Sequence, residues 1–194
     1  MCAQRLRRRG ARFGRDYRER LKLANGTIVR FRLLQREDSP LLVQIFDKLS
    51  PEARYQRFFA HKSALSAADL RALTDCDGAN HVGIVAVAES DDVEEGVGVT
   101  RFVRLRDDPL TAEVAVTVVD AYQRQGIGRM LLRRLFEAAA ERGIQRLQHI
   151  MLADNLPMKA LVRQFAPEAR HGSRRWLGAA VSTFVVALPV QRGE

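Results

Sequence analysis

Between Val116 and Gly143 the chain reads VTVVDAYQRQGIGRMLLRRLFEAAAERG, a β-branched alternating stretch that runs into an amphipathic one. Gln123, Arg124, Gln125, Gly126, Ile127 and Gly128 stand at the junction. The first turn of a helix presents unpaired backbone N–H groups and the positive end of the helix dipole, which together attract an anion. Glycine lets the backbone come close to such a group, and Arg124 and Arg129 add positive charge at the rim. The pattern suits a pyrophosphate. It lacks the Lys-Ser/Thr pair of a nucleotide-binding P-loop and the third glycine of a dinucleotide fingerprint. A tight turn alone would also account for two glycines here.

The elements that must position this loop are legible from period and capping. GTIVRFRLL (Gly26 to Leu34) is a β-branched first strand. Leu41, Leu42, Ile45, Phe46 and Leu49 then recur at helical spacing. Ser50 before Pro51 caps a second helix that carries Tyr55, Phe58 and Phe59, and Ser66 caps a third. HVGIVAVAES and GVGVTRFVRL are two strands joined by an acidic turn, and TAEVAVTVV is the next. Gly128 to Arg142 is a helix with Leu131, Leu132, Leu135, Phe136 and Ala139 on its apolar stripe, ended by Gly143. A strand (IQRLQHIMLA), a helix (Asn155 to Phe165) and one or two strands within WLGAAVSTFVVALP complete the chain. The expected fold class is α/β (α+β): a mixed, mostly antiparallel central sheet flanked by helices, with one parallel strand-helix-strand unit from Ala112 to Ala153.

Composition bounds the rest. The 194 residues, 46% hydrophobic and 28% charged, suit one globular unit with its own core. No apolar run reaches the ~18 residues of a membrane span, and the basic N-terminus is not followed by a signal-peptide apolar stretch, so a cytoplasmic location is expected and no membrane partner. Residues 1–22 carry nine basic side chains against Asp16 and Glu19, which accounts for most of the net charge of +9. Residues 1–22 therefore read as a basic, mobile arm and 23–194 as the domain. Such an arm could hold nucleic acid, although Phe13 and Tyr17 are its only aromatics and a solvated tail is the simpler reading. Cys2 and Cys76 resemble neither a disulfide framework nor a metal cluster, and His61, His81 and His149 lack ligand spacing, so no metal is expected.

Gln-x-x-Gly-x-Gly between a strand and a helix resembles motif A of the GNAT superfamily of N-acetyltransferases. LSPEARYQRFF (Leu49 to Phe59), AEVAVTVVDAYQRQGIGRMLL (Ala112 to Leu132) and LADNLPMKAL (Leu152 to Leu161) stand in the order and approximate spacing of the acetyltransferase domain of Pat-type protein lysine acetyltransferases. The resemblance implies acetyl-CoA as cosubstrate. Val118 would pair with pantetheine through its backbone, and Gln123 to Gly128 with Arg129 would surround the pyrophosphate. Asn155 would contact the cofactor near its pantetheine or thioester end; helix capping alone also explains it. Glu113 stands at the position of the family's general base, which is needed because a lysine amine, with a pKa near ~10.4, is charged in water. Strand alternation places Glu113 with Ala115 and Thr117 on one face.

The sequence departs from the family twice. The tyrosine that many members place after the last helix to protonate the leaving thiolate is absent, the three tyrosines being Tyr17, Tyr55 and Tyr122. His171 is a weak substitute. RQFAPEARHG also replaces the usual Gly-Phe after that helix, which remodels the substrate-side wall. The expected activity is acetyl transfer from acetyl-CoA to an amine, a protein lysine first, by direct attack with Glu113 as base. A small-molecule amine acceptor, or an acyl-CoA sensor without turnover, is the alternative.

Overall fold

The computed structural model describes residues 12–90, 93–176 and 179–188. Strands β1 (Arg18–Lys22) and β2 (Ile28–Leu33) precede three helices, α1 (Ser39–Asp47), α2 (Pro51–Phe58) and α3 (Ala67–Thr74). Strands β3 (His81–Ser90), β4 (Val93–Arg104) and β5 (Thr111–Val118) lead into α4 (Ile127–Glu141). Then follow β6 (Arg146–Leu152), α5 (Leu156–Phe165), β7 (Arg170–Trp176) and β8 (Ala179–Ala187). All eight strands form one sheet in the order β1-β2-β3-β4-β5-β6-β8-β7. Every pairing is antiparallel except β5 with β6, which α4 joins as a crossover. This is the expected mixed, mostly antiparallel α/β architecture.

Alternation along the strands divides two cores. On one face Ile84, Phe102, Val114 and Leu147 meet Leu131, Leu132 and Leu135 of α4 and Val162 of α5. On the other, Val85 and Val87 meet Leu34, Leu41, Leu42 and Ile45 beneath α1. The local capping chemistry follows the sequence: Ser50 accepts a hydrogen bond from the Ala53 N–H, Ser66 and Asp69 form a reciprocal box, and Asn155 accepts from the Met158 N–H.

The arm boundary at residue 22 is corrected by the structure. Arg18–Lys22 pair with Ile28–Arg32 as an added edge strand, and Phe13 (1% exposed) and Tyr17 (6%) are core residues against α4. Arg12 bonds Glu137, Arg20 pairs with Glu89, and Arg18 donates to main-chain carbonyls. The charge that suggested a free arm is thus partly spent on the domain itself; the basic residues Arg5 to Arg9 lie outside the described residues. Glu19 sits between Tyr17, Arg12 and the mostly buried Arg134. Burial alone would raise its carboxyl, but hydrogen bonds from Arg134 and Tyr17 outweigh that and hold it below the usual glutamate range.

Within WLGAAVSTFVVALP, where one or two strands are expected, lies β8, whereas β7 precedes that stretch and shares only Trp176 with it. It begins at Arg170, and all seven of its residues are exposed, so no buried alternation announces it. Among the described residues, no helix is long and apolar enough to cross a membrane and no group of three acidic, His or Cys side chains is placed to hold a metal ion.

Two outcomes check the β1 attachment. Phe13→Ala should cost about 3–5 kcal/mol in urea unfolding, the usual loss for a buried phenylalanine; a change indistinguishable from zero would detach the segment from the core. A depressed carboxyl stabilises the fold above its unfolded value, near ~4.3, and loses that effect as pH falls through the folded value. The stability gap between wild type and Glu19→Gln should therefore be open at neutral pH and close in acid, as thermal unfolding across that range would read.

Candidate active site

Strands β5 and β6 pair only from Thr111–Arg146 to Val114–His149 and then separate. Beyond that point β5 continues on β4 to Val118, and β6 continues on β8 to Leu152. The Val119 N–H donates to the Val97 carbonyl at 2.9 Å, which fixes the phase of the antiparallel ladder. Odd residues of β5 therefore turn their backbone groups toward β4, and Val114, Val116 and Val118 turn theirs toward β6. Past Val114 that edge faces a cleft of about 570 Å³, walled by β5, β6, α2, α5 and the start of α4. The volume lies in the range of small-molecule sites.

At the mouth, the 123–128 loop bends twice into the left-handed region. Arg124 (φ 58°) and Gly126 (φ 86°) are left-handed within an otherwise right-handed or extended run. Such alternation turns successive N–H groups toward one concave side. Met130 is the first residue whose N–H closes the α4 ladder, at 3.0 Å on the Gly126 carbonyl, so the N–H groups of Ile127, Gly128 and Arg129 remain outside it. No acidic residue stands in the first turn. The two glycines differ. A side chain at Gly126 would meet nothing within 4 Å, so its backbone conformation is what demands glycine. A methyl at Gly128 would make ordinary contact with Leu161 at 3.5 Å and Val118 at 3.6 Å, so neither its surroundings nor its backbone conformation demands glycine there.

The cleft brings together Glu113, Val118, Gln123, Arg124, Gly126, Gly128, Arg129 and Asn155. Gln123 is spent internally, its Nε2 donating to the Val118 carbonyl at 3.2 Å and to Asp120 at 2.7 Å, so it braces the loop. Gln125 and Ile127 do not line the cleft. Gln125 bonds the Ala121 carbonyl, and the Ile127 side chain is core, which leaves each only its backbone to offer a ligand. Asn155 caps α5 with Oδ1 at 3.0 Å from the Met158 N–H, and its Nδ2 is left as a donor.

Glu113 is exposed and stands opposite Val103 and Gln148, on the sheet face that carries α1 to α3. The sequence marks Arg57, with Tyr55, Phe58 and Phe59, as resembling the family's substrate-side helix, but does not group it or Arg101 with Glu113. Arg57 of α2 lines the same cleft, and Arg101 of β4 lies opposite Ala115. Burial lowers both guanidinium groups from their usual range; Arg101 lowers Arg57 further, and the Glu113 charge opposes the shift in both. Their separation along the chain hid this grouping, and only α2 lying over β4 and β5 reveals it.

His149 also borders the cleft, at the last β5–β6 pair. Its ring is buried against Phe136 without a hydrogen-bond partner, and burial pushes it down to about 4, so it is neutral near pH 7. His171 is on the exposed edge strand, its ring 4.7 Å from that of Phe184, and does not line the cleft. Tyr17 and Tyr122 bond glutamates, and Tyr55 stacks on His61.

The model of the acetyltransferase (GNAT) family matches residues 42–166, which takes in most of α1, all of α2 to α5 and every residue that lines the cleft. The chain belongs to that family. It is 31% identical over 139 residues to Acetyltransferase PA5475 of Pseudomonas aeruginosa, covering 72% of this chain and 74% of that one. It is 34% identical over 115 residues to Acetyltransferase Pat of Mycolicibacterium smegmatis, covering 59% of this chain and 34% of that longer protein. The GNAT domain of S. lividans PAT superposes with a TM-score of 0.75 at 28% identity, over 88% of this chain and 97% of that domain. YncA of Salmonella typhimurium, solved with acetyl-CoA, shares the fold at a TM-score of 0.66 and 15% identity, over 85% of this chain and 96% of that one. As a GNAT enzyme the protein is an acetyltransferase that uses acetyl-CoA as its donor. The free N–H groups, the flanking arginines and the cleft volume fit that donor.

The two glycines separate folding from binding. Gly126→Ala should destabilise the protein by about 1–2 kcal/mol, because alanine resists a positive φ. Gly128→Ala should leave stability unchanged or raise it by up to ~1 kcal/mol, as alanine is the better helix former. The same variant should weaken acetyl-CoA binding at least about tenfold, or ~1.4 kcal/mol. Calorimetric titration of a folded Gly128→Ala protein with undiminished affinity would remove the helix start from the donor site.

Proposed function

We propose that this GNAT enzyme acetylates lysine side chains of proteins, with Glu113 as general base and direct transfer from the donor to the amine. The observation that carries the reading is the placement of Glu113: exposed, at the point where β5 leaves β6, and on the face away from α4. The donor and the acceptor can then enter the gap from opposite sides. The similarity to the Pat proteins supports a protein acceptor.

In this reading acetyl-CoA supplies an acetyl group activated as a thioester. The N–H groups of Ile127, Gly128 and Arg129 hold the pyrophosphate, with Arg124 and Arg129 at its rim. Gln123 braces the loop, and Gln125 contributes backbone alone. Val118 offers its N–H to the pantetheine, and the Asn155 Nδ2 donates nearer the thioester end. Glu113 takes a proton from the arriving ammonium, and the neutral amine then forms the C–N bond as the C–S bond breaks. A β5 backbone N–H aimed into the gap stabilises charge on the carbonyl oxygen. The thiolate leaves into a cleft open to water, which can protonate it, so the absence of a tyrosine near α5 does not block turnover.

Glu113→Gln keeps the size and removes the base. Acetyl-CoA affinity should stay within a few-fold while turnover on a lysine peptide falls by about 10²–10⁴ at neutral pH. Raising the pH toward the amine's own pKa, ~10.4, should recover part of the loss, since more acceptor is then neutral without help. Full turnover at neutral pH would exclude Glu113 as the base.

A further inference from the structure

Beside Glu113 stand two guanidinium groups that no described carboxylate neutralises. Arg57 walls the main cleft and also a smaller recess, of about 30 Å³, between α1 to α3 and the sheet; Arg101 forms another wall of that recess. Arg101 faces Ala115 across the β4–β5 pair and is therefore a diagonal neighbour of Glu113 on the same face. Its Nη1 donates to the Ala72 carbonyl at 3.0 Å. The Arg57 guanidinium lies 5.0 Å from the centre of the Phe58 ring. Glu113 is the carboxylate whose charge reaches both, yet neither arginine forms an ion pair with it or with any other described residue.

The remaining walls are largely apolar, among them Leu34, Phe46, Leu49 and Phe58. Two half-buried cations and one exposed carboxylate against these walls leave a surplus positive charge, which a counter-charge arriving there would offset. An acceptor enters as an ammonium and would be repelled by that surplus. One that brings its own anion is attracted instead. The recess has room for one or two waters, or for a group as small as a carboxylate, and arginine forks hold carboxylates with two parallel hydrogen bonds.

We propose that Arg57 and Arg101 form a carboxylate subsite for the acceptor, so that the preferred amines are those with a carboxylate a few bonds away. The inference rests on the reading that the acceptor enters at Glu113. Held by the forks, such an acceptor presents its amine to Glu113 in a fixed orientation. The carboxylate has two sources, an acidic residue next to a peptide lysine or the carboxylate of a free amino acid.

The test is calorimetry on the full chain in the presence of CoA, with two matched pairs of ligands. One pair is a terminally blocked Gly-Asp-Lys-Gly peptide and its Gly-Asn-Lys-Gly counterpart; the other is free lysine and lysinamide. In at least one pair the carboxylate member should bind about tenfold tighter, or ~1.4 kcal/mol, and the pair that does so identifies the source. Arg57→Gln should reduce that preference to within about twofold, and Arg57→Lys, which keeps charge without the fork, should retain part of it. Unfolding curves verify that the variants fold, and Arg101→Gln carries the test if Arg57→Gln does not. Equal binding within both pairs, no binding at all, or a preference that survives both Arg57→Gln and Arg101→Gln would overturn the subsite. Acetyl transfer to the same peptides separates the two readings. Equal kcat/KM for both peptides defeats the subsite and spares lysine acetylation. No transfer to either peptide, with tighter binding of free lysine than of lysinamide, does the reverse.

Discussion

Parallel pairing between β5 and β6 stops after Val114 and His149, although both strands continue. Each remains satisfied on its outer edge, β5 by β4 and β6 by β8, so the separation costs hydrogen bonds along the inner edges only. Unpaired backbone groups are tolerated where water or a ligand can reach them. The cleft provides that access, and the free edge of β5 becomes a row of donors and acceptors for an extended ligand. The rest of the site is arranged around this opening: α4 starts at its mouth, α5 starts on its far wall, and α2 supplies another wall.

The helix starts that border the opening show how folding and binding requirements are divided. α5 is capped by its own Asn155, with a proline in the first turn. α4 receives no side-chain cap and carries Arg129 where an acidic residue would suit the dipole better. Its start is stabilised from behind, through Ile127 in the core and the Gly126 conformation, and its first N–H groups are left outside the helix ladder at the mouth of the cleft. The β1 segment contributes at the other end of the same helix, where Glu19 and Tyr17 close on Arg134. The N-terminal segment and the proposed donor site thus share one helix.

How much of this was legible in the sequence depends on the signal each part left. The strand-loop-helix unit around Gly126 is local, periodic and rich in backbone punctuation, so its position and its fitness for an anion could be read directly. Glu113 was reachable through strand alternation and family resemblance. β1 was hidden because RERLK alternates between exposed and half-buried positions with only one apolar residue; Phe13 and Tyr17, two aromatics in a basic stretch, were the overlooked sign. β7 was hidden because it buries nothing. The grouping of Arg57 and Arg101 with Glu113 joins α2, β4 and β5 and has no local pattern at all.

Amide hydrogen exchange with and without acetyl-CoA tests the central claim, that the donor occupies the gap between β5 and β6, most directly. Acetyl-CoA should slow exchange at Val116, Val118 and the amides of residues 126–129, and leave the paired amides of β3, already protected by their neighbours, unchanged. Slowed exchange confined to another surface, with those amides as open as in the free protein, would contradict it.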